Sequence, residues 1–286
     1  MLLERSASHD WRRHLAAIRQ GLTTRSAAAE AHDQLVLSGA LRSRQFQPRR
    51  IAVIGGTGGV GTTTVSVLLA SVLSATREDQ TLLLTLHSDA SDVAARLALP
   101  HAPSITEVLG CLRGNGRIPP TPVTRTGLRV LSAPPAGIPP IESGLAALLD
   151  VGAAGHGSVV VDAGVANRIG SLPTLAELFD TVVLVSGTTS DAVAATAAVL
   201  ARWRAGQSHP AATRLILAAI RTRPALRRVG NDPVDSLLLD GIDIHRLPHD
   251  PELSRGRPIE MQTLTGASMT AMLRMGADIM AGRQRT

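Results

Sequence analysis

A glycine-rich loop, placed between a predicted strand and a predicted helix, constrains the fold of this chain most. The loop follows an apolar run at residues 51–54 and precedes a predicted helix at residues 62–73. In that setting glycines let several backbone N–H groups converge on one anion, and the helix N-terminus adds a positive partial charge. The segment predicts a phosphate-binding loop; the alternative is an ordinary glycine turn in another α/β protein. Its residues are Gly56, Thr57, Gly58, Gly59, Val60, Gly61, Thr62, Thr63 and Thr64.

Strand-like and helix-like segments alternate along the rest of the chain. Apolar runs of strand length lie at residues 51–54, 81–86, 127–132, 158–164, 181–187, 214–220 and 242–248. Helices are predicted at residues 62–73, 90–97, 105–113, 143–149, 174–179, 192–203 and 264–280. The run at 158–164 shows no polar alternation, which is typical of a parallel strand buried on both faces. This order predicts an α/β fold with a doubly wound, mostly parallel sheet.

The first 48 residues differ from the rest in charge, and we expect them to form a short, partly helical extension of a domain at residues 49–286. Residues 1–50 hold nine Arg against four acidic residues, which is +5 of the total net charge of +6. Apolar residues at helical spacing predict one short helix over residues 11–22, and a second is predicted over residues 27–41. A basic extension can touch nucleic acid, anionic lipid or an acidic partner. A solvated arm is the alternative.

The chain contains no lysine, since all 29 of its Lys and Arg residues are Arg. In the general phosphate-loop pattern G-x-x-x-x-G-K-[ST], the lysine position is Thr62 here, and Thr63 keeps the hydroxyl that binds Mg²⁺. The strand at 158–164 ends near Asp162, which resembles a Walker B aspartate. A threonine hydroxyl cannot replace an ammonium charge, and loss of one such group typically costs about 10²-fold or more in rate.

These residues resemble the MinD/ParA family of deviant Walker A P-loop ATPases. That family's loop reads lysine, two glycines, any residue, glycine, lysine and two threonines, and residues 57–64 match it except at both lysines, which are Thr57 and Thr62 here. The family's aspartate after the second strand is replaced by Thr85, although Asp89 and Asp92 follow it. The adenine-reading asparagine has no match.

The resemblance implies a set of ligands and partners. ATP or ADP would occupy the loop with Mg²⁺ held by Thr63 and Asp162, and Asp162 is the one candidate catalytic carboxylate. An empty loop is the alternative. In the family, the first lysine reaches across a nucleotide-sandwich dimer, so a homodimer is the expected assembly.

A closer resemblance is to the MinD-like ATPases encoded with actinobacterial type VII (ESX) secretion systems. It covers the Trp11-Arg12-Arg13 motif in the arm, the segment at residues 247–264 and the alanine-rich helix that follows. The resemblance implies an accessory role at a secretion machine, with a component of that machine as partner.

Several other classes of protein are disfavoured. No apolar run approaches a membrane span of about 18–20 residues, and no secretory signal is recognisable at residues 1–13. Cys111 is the single cysteine, which excludes an intrachain disulfide and favours a cytoplasmic location. His245 and His249 are separated by a proline, which disfavours a metal site, and His87 is expected in a solvated loop.

Two further features leave alternatives open. Arg255 and Arg257 are candidates to contact a phosphate or a partner, and solvated surface residues are the alternative. The final helix carries one apolar side, for which packing onto the sheet is expected rather than peripheral membrane contact. That side comprises Met269, Met272, Leu273, Gly276 and Met280.

Three functions are therefore open. The first is a pseudo-ATPase or weak nucleotide binder that acts as scaffold or regulator in secretion or spatial organisation. The second is a working ATPase completed by an arginine of a partner chain. The third is a ParA-like partition factor that uses its arginine-rich arm on DNA phosphates.

Overall fold

The computed structural model describes residues 25–42, 47–86, 93–99, 103–113, 122–132, 145–166, 172, 177–206, 213–224, 232–238 and 242–282. The strands are β1 (Arg49–Gly55), β2 (Thr81–Thr85), β3 (Arg129–Leu131), β4 (Ser158–Val165), β5 (Thr181–Gly187), β6 (Arg214–Ile220) and β7 (Asp243–Leu247). The α-helices are α1 (Arg25–Leu41), α2 (Thr62–Thr76), α3 (Val93–Arg96), α4 (Ile105–Arg113), α5 (Leu145–Gly155), α6 (Ser190–Ala205), α7 (Pro251–Ser254) and α8 (Gly266–Ala281). Two 3₁₀ turns lie at Pro233–Leu237 and Met261–Thr263.

The seven strands form one sheet in which every pair of neighbours is parallel. Its order is β3-β2-β4-β1-β5-β6-β7. The predicted fold class is confirmed, and all seven predicted strand segments are strands. They were recognisable because a parallel sheet covered on both faces needs strands that are apolar throughout.

Helices cover both faces of the sheet, and successive strand residues alternate between two apolar cores. Ile51 and Val53 face the core that contains α2 and α8, whereas Ala52 and Ile54 face the core that contains α5 and α6. The result is a three-layer domain in which β1 is central and fully buried from Ile51 onward.

Helix α1 packs onto the same domain although it belongs to the predicted extension. The Gln34 side-chain amide donates to the Gly266 carbonyl oxygen at 3.1 Å and to the Thr270 hydroxyl at 2.9 Å. Leu41 is fully buried in the core shared with α2 and α8. The division at residue 48 stays a prediction, and the helix predicted over residues 11–22 lies outside the described residues.

The last helix, α8, packs its apolar side onto the domain rather than exposing that side to solvent. Met272 and Met280 are fully buried, Leu273 and Gly276 are buried, and Met269 is half-buried. The helix packs against α1, α2 and β7. The expected packing is confirmed, and no helix in the described ranges has the length and apolar character needed to cross a membrane.

Helix α5 extends well beyond its predicted end at residue 149, and another predicted helix lies mostly outside the described residues. Helix α5 continues to Gly155 although Gly152 is a poor helix former, and Gly152 allows close contact with the sheet. A side chain at Gly152 would approach Leu82 to 3.1 Å and Val159 to 3.3 Å. Most of the helix predicted at 174–179 lies outside the described residues.

Candidate functional site

The glycine-rich loop lies at the carboxyl edge of the sheet, beside its central strand. β1 pairs with β4 on one side and β5 on the other. The chain leaves β1 for β2 on the far side of β4, and it later leaves β4 for β5 on the far side of β1. The direction of winding therefore reverses beside β1, and ligands of open α/β sheets bind in the crevice at such a point.

The loop adopts a backbone conformation that requires glycine at two positions. Gly59 has φ of 75° and Gly61 has φ of 95°, both in the left-handed region. A residue with a side chain typically costs about 1–3 kcal/mol in such a conformation. The loop's glycines are thus matched to its shape, as expected of a loop that turns its N–H groups inward.

Close approaches hold the base of the loop in place. A Cβ on Gly55 would stand 2.3 Å from the Thr62 hydroxyl oxygen, and a Cβ on Gly56 would stand 2.3 Å from that of Thr196 in α6. The Gly56 N–H also donates to the Val185 carbonyl oxygen in β5 at 2.9 Å. The first turn of α2 therefore lies directly over the end of β1.

The N-terminus of α2 carries no side-chain cap. Its N-cap is Gly61, which makes no capping hydrogen bond with a side chain. The first intrahelical bond runs from the Val65 N–H to the Gly61 carbonyl oxygen at 2.9 Å. The N–H groups before Val65 have no partner within a helix, and such groups form an anion site when side chains leave them uncapped.

Two buried polar residues lie on the neighbouring strands β2 and β4, on the face of the sheet that α2 covers. Thr85 of β2 pairs in register with Asp162 of β4. The residues two positions earlier, Leu83 and Val160, face the α2 core, so Thr85 and Asp162 face α2 as well. Both are buried, and the Thr85 hydroxyl has no hydrogen-bond partner among the described residues.

These residues fit a magnesium nucleotide. Mg²⁺ prefers hydroxyl and carboxylate oxygens together with phosphate oxygens, and the loop offers Thr63 on α2 and Asp162 on the adjoining strand. An Asp162 carboxylate oxygen accepts from the Gly164 N–H at 3.3 Å, which orients the side chain. The assignment of Thr63 and Asp162 as ligands stays a prediction, as do the loop contacts with phosphate.

A cation that the sequence did not single out reaches the loop. Arg96, at the end of α3, donates from Nη2 to the Thr64 hydroxyl at 2.9 Å and from Nη1 to the Arg257 carbonyl oxygen at 3.2 Å. Burial lowers the pKa of the Arg96 guanidinium from its usual value. One indication of Arg96 in the sequence is its position in the chain. A helix that follows β2 begins at the same edge of the sheet as the loop, so its residues can lie near the loop.

The remaining candidates have separate partners or lie outside the described residues. The His245 ring bonds to Asp278 at 2.9 Å and the His249 ring to the Ser254 hydroxyl at 3.0 Å, so the two histidines do not share a site. Arg255 pairs with Glu252. Residues 87–92, which include the histidine and the two aspartates considered after β2, are not described. Elsewhere, the described ranges contain no group of three potential metal-ligating side chains of His, Cys, Asp or Glu.

Comparisons with known proteins identify the fold. The sequence matches no protein-family model, and no curated protein matches it. The structure is similar to a ParA family ATPase from Chlorobium tepidum TLS, at 16% identity and a TM-score of 0.59, covering 81% of this chain and 97% of that one.

Two MinD structures are similar to the same extent. The MinC:MinD cell division protein complex of Aquifex aeolicus gives 17% identity and a TM-score of 0.58, covering 83% of this chain and 98% of that one. The septum site-determining protein MinD from Pyrococcus horikoshii OT3, complexed with Mg-ADP, gives 19% and 0.57, covering 82% and 98%. The fold is that of the MinD/ParA P-loop ATPases.

Proposed function

We propose that this chain binds a magnesium nucleotide in residues 56–64 but hydrolyses it weakly or not at all, and that it acts as a scaffold or regulator. The observation that carries the proposal is an uncapped phosphate-loop helix, α2, whose two lysine positions hold Thr57 and Thr62. The backbone that would bind the phosphate groups is retained, whereas the lysine charges that would neutralise them are absent from the loop.

Nucleotide binding is supported by backbone chemistry that does not depend on lysine. The left-handed Gly59 and Gly61 shape the loop, and the first-turn N–H groups of α2 are uncapped. Backbone donors and the helix dipole together bind phosphate groups. A MinD of the same fold carries Mg-ADP, which makes ADP or ATP with Mg²⁺ the natural ligand to propose.

Weak hydrolysis follows from charge. Phosphoryl transfer proceeds mainly through positioning and electrostatic stabilisation of the transferring group, so a missing cation is a direct loss to the transition state. Thr62 is buried and its hydroxyl points towards Gly55, within the base of the loop. Such a side chain supplies neither the charge nor the reach of a lysine.

A protein that binds nucleotide without turning it over suits a scaffold. The MinD in the Aquifex aeolicus complex is bound to MinC, which shows that this fold can present a surface to a partner protein. We propose an accessory role in type VII secretion or in spatial organisation, in the cytoplasm, as a homodimer or bound to a secretion component.

Two alternatives are favoured by particular observations. Retention of Thr63 and of the buried Asp162 favours a working ATPase that is completed by an arginine of a partner chain. The net charge of +5 over residues 1–50, from nine Arg and four acidic residues, favours a DNA-associated partition role. Steeply salt-dependent DNA binding that disappears on deleting residues 1–24 would support the partition role, whereas absent or salt-independent binding would end it.

Isothermal titration calorimetry of the full chain with Mg-ADP tests the binding half of the proposal. We expect saturable binding by the wild type and loss of at least about tenfold in affinity on Gly61→Val, because the β-branched side chain cannot adopt the left-handed N-cap conformation without strain. Heat signals indistinguishable from buffer for the wild type would overturn nucleotide binding.

A further inference from the structure

We propose that Arg96 supplies, from the neighbouring helix α3, the positive charge that the phosphate loop itself lacks. The inference rests on the proposed nucleotide binding and names the residue that makes it possible. It assigns Arg96 as a positioning and binding residue for the phosphate groups, acting together with Thr64 at the first turn of α2.

The contact is of a kind that an anion can join. Arg96 Nη2 donates to the Thr64 hydroxyl oxygen at 2.9 Å, so Thr64 accepts through a lone pair and keeps its hydroxyl hydrogen for donation. A guanidinium has five N–H donors, of which two are used in the contacts with Thr64 and Arg257. Both side chains therefore retain donors that can be directed to a phosphate oxygen.

The guanidinium is held in place from both sides. Its second contact is with the Arg257 carbonyl oxygen, and the backbone is tied down where the Ile259 N–H donates to the Arg96 carbonyl oxygen at 2.7 Å. Residues 257–259 thus hold the end of α3 and the Arg96 side chain in place. A fixed cation loses little side-chain entropy when an anion binds, which favours affinity.

Arg96 differs from several other arginines in having no ion pair with a carboxylate of the described residues. Arginines such as Arg50, Arg214 and Arg246 lie within salt-bridge distance of a carboxylate, whereas no carboxylate in the described ranges lies that close to Arg96.

Partial burial strengthens the attraction that Arg96 would have for an anion. It lowers the pKa of the Arg96 guanidinium, which means that the surroundings disfavour its charge. A phosphate group would reverse that penalty, because a cation and an anion that are both partly withdrawn from water attract one another strongly.

The position of Arg96 favours binding over turnover. Its partner Thr64 is the third residue of α2, so the guanidinium is anchored to the side of the loop helix rather than across the loop. An interaction that is equally strong in the bound nucleotide and in the transition state raises affinity without accelerating chemistry. Arg96 therefore accounts for nucleotide binding by a chain that hydrolyses weakly.

Calorimetry with Mg-ADP on the full chain tests the role of Arg96. We expect Arg96→Gln to weaken binding by about 10- to 100-fold, and Arg96→Lys to retain most of the affinity. Arg274→Gln is the matched control, since Arg274 is an exposed arginine of α8 within salt-bridge distance of Asp33, and it should leave the affinity unchanged. Thermal unfolding of each variant checks that it is folded.

Salt dependence separates a charge contact from a structural role. Because Arg96→Gln removes one cation from the site, its affinity should fall less steeply than that of the wild type as NaCl is raised. Thr64→Val breaks the contact but keeps the charge, and it should give an intermediate loss. A loss of affinity with an unchanged salt dependence would mean that Arg96 only supports the fold, which overturns the inference.

A lysine restored to the loop provides the decisive variant. Thr62→Lys in the Arg96→Gln background should recover the lost affinity, and it should add less than that to the wild type, because the two cations serve the same phosphates. Equal gains in the two backgrounds would overturn the inference. Wild-type affinity in Arg96→Gln would overturn it as well while leaving the proposed function standing. If the wild type binds no Mg-ADP, the proposed function and the inference fall together.

Discussion

Two helices that pack side by side, α2 and α8, begin in opposite ways. Helix α8 starts behind Thr265, whose hydroxyl accepts from the Ser268 N–H at 3.3 Å. The buried carboxylate of Asp250 accepts in turn from the Thr265 N–H at 2.9 Å and from its hydroxyl at 3.1 Å. Helix α2 starts behind Gly61, in a left-handed conformation with no side-chain cap.

The presence or absence of a side-chain cap distinguishes the two helix N-termini: we interpret the capped one as structural and the uncapped one as the proposed phosphate-binding end. The donors at the start of α8 are satisfied by side chains, so that end contributes stability to the folded chain. The donors at the start of α2 have no side-chain cap, and under the proposed function they contribute little stability until an anion binds. Substitutions at α8 should therefore change unfolding and not binding, whereas those at α2 should change binding.

The largest effect on stability is expected at Asp250. Asp250→Ala should lower the free energy of unfolding by about 3 kcal/mol, because it removes a buried carboxylate and leaves the Thr265 N–H without its acceptor. Chemical denaturation measures the change. Affinity for Mg-ADP should stay as in the wild type. A parallel loss of Mg-ADP binding would contradict the claim that the N-terminus of α8 affects stability alone.

The next effect is expected in the loop. Gly61→Ala should lower the free energy of unfolding by about 1–3 kcal/mol because of its left-handed backbone, and should weaken Mg-ADP binding. Gly58→Ala is the matched control for stability. Gly58 has no positive φ and open space around its Cβ position, so the change should stay within about 0.5 kcal/mol. Equal destabilisation by both variants would contradict a shape-specific role for Gly61.

A smaller effect is expected at the cap itself. Thr265→Ala should cost about 1 kcal/mol through loss of the side-chain acceptor at the start of α8. Thr189→Ala should cost a similar amount, since Thr189 caps α6 by accepting from the Ala192 N–H. Denaturation of both variants, beside Mg-ADP calorimetry, would show whether capped ends affect stability alone.

The smallest effect is a dependence on pH. Burial opposes ionisation of Asp250, but hydrogen bonds from Thr265, Ser268 and the Glu252 N–H outweigh it and hold its pKa below the usual 3.8. A lowered folded-state pKa contributes stability above the unfolded value and loses it as pH falls.

The difference in unfolding free energy between wild type and Asp250→Asn should therefore be full at neutral pH and shrink as pH falls below 3.8. Asp278, whose pKa is also lowered, titrates in both proteins and cancels in the difference. Denaturation at a series of acid pH values measures this, and a difference that grows on acidification would contradict it.

The backbone of the site could be predicted from the sequence, since its signals are local. Continuous apolar runs identify parallel strands, and glycines at 59 and 61 mark a loop that needs positive φ. These features depend on neighbours in sequence, so spacing alone reveals them. The fold class and the loop's place at the sheet edge followed from them.

The side chains around the loop could not be predicted, because they arrive from distant segments. Arg96 meets Thr64 across 32 residues, and Gln34 meets Gly266 across 232. Neither pair leaves a periodic signal. The identity of the cation beside the loop and the packing of α1 onto α8 required the tertiary structure.

Phosphate release from Mg-ATP, measured on the full chain beside Asp162→Ala, tests the central claim most directly. Calorimetry on the same preparations should show that the wild type binds Mg-ATP. We expect its phosphate release to match that of Asp162→Ala, because the cradle lacks the charge that the transition state needs. Sustained phosphate release by the wild type that Asp162→Ala abolishes would contradict the claim that the loop binds nucleotide without hydrolysing it.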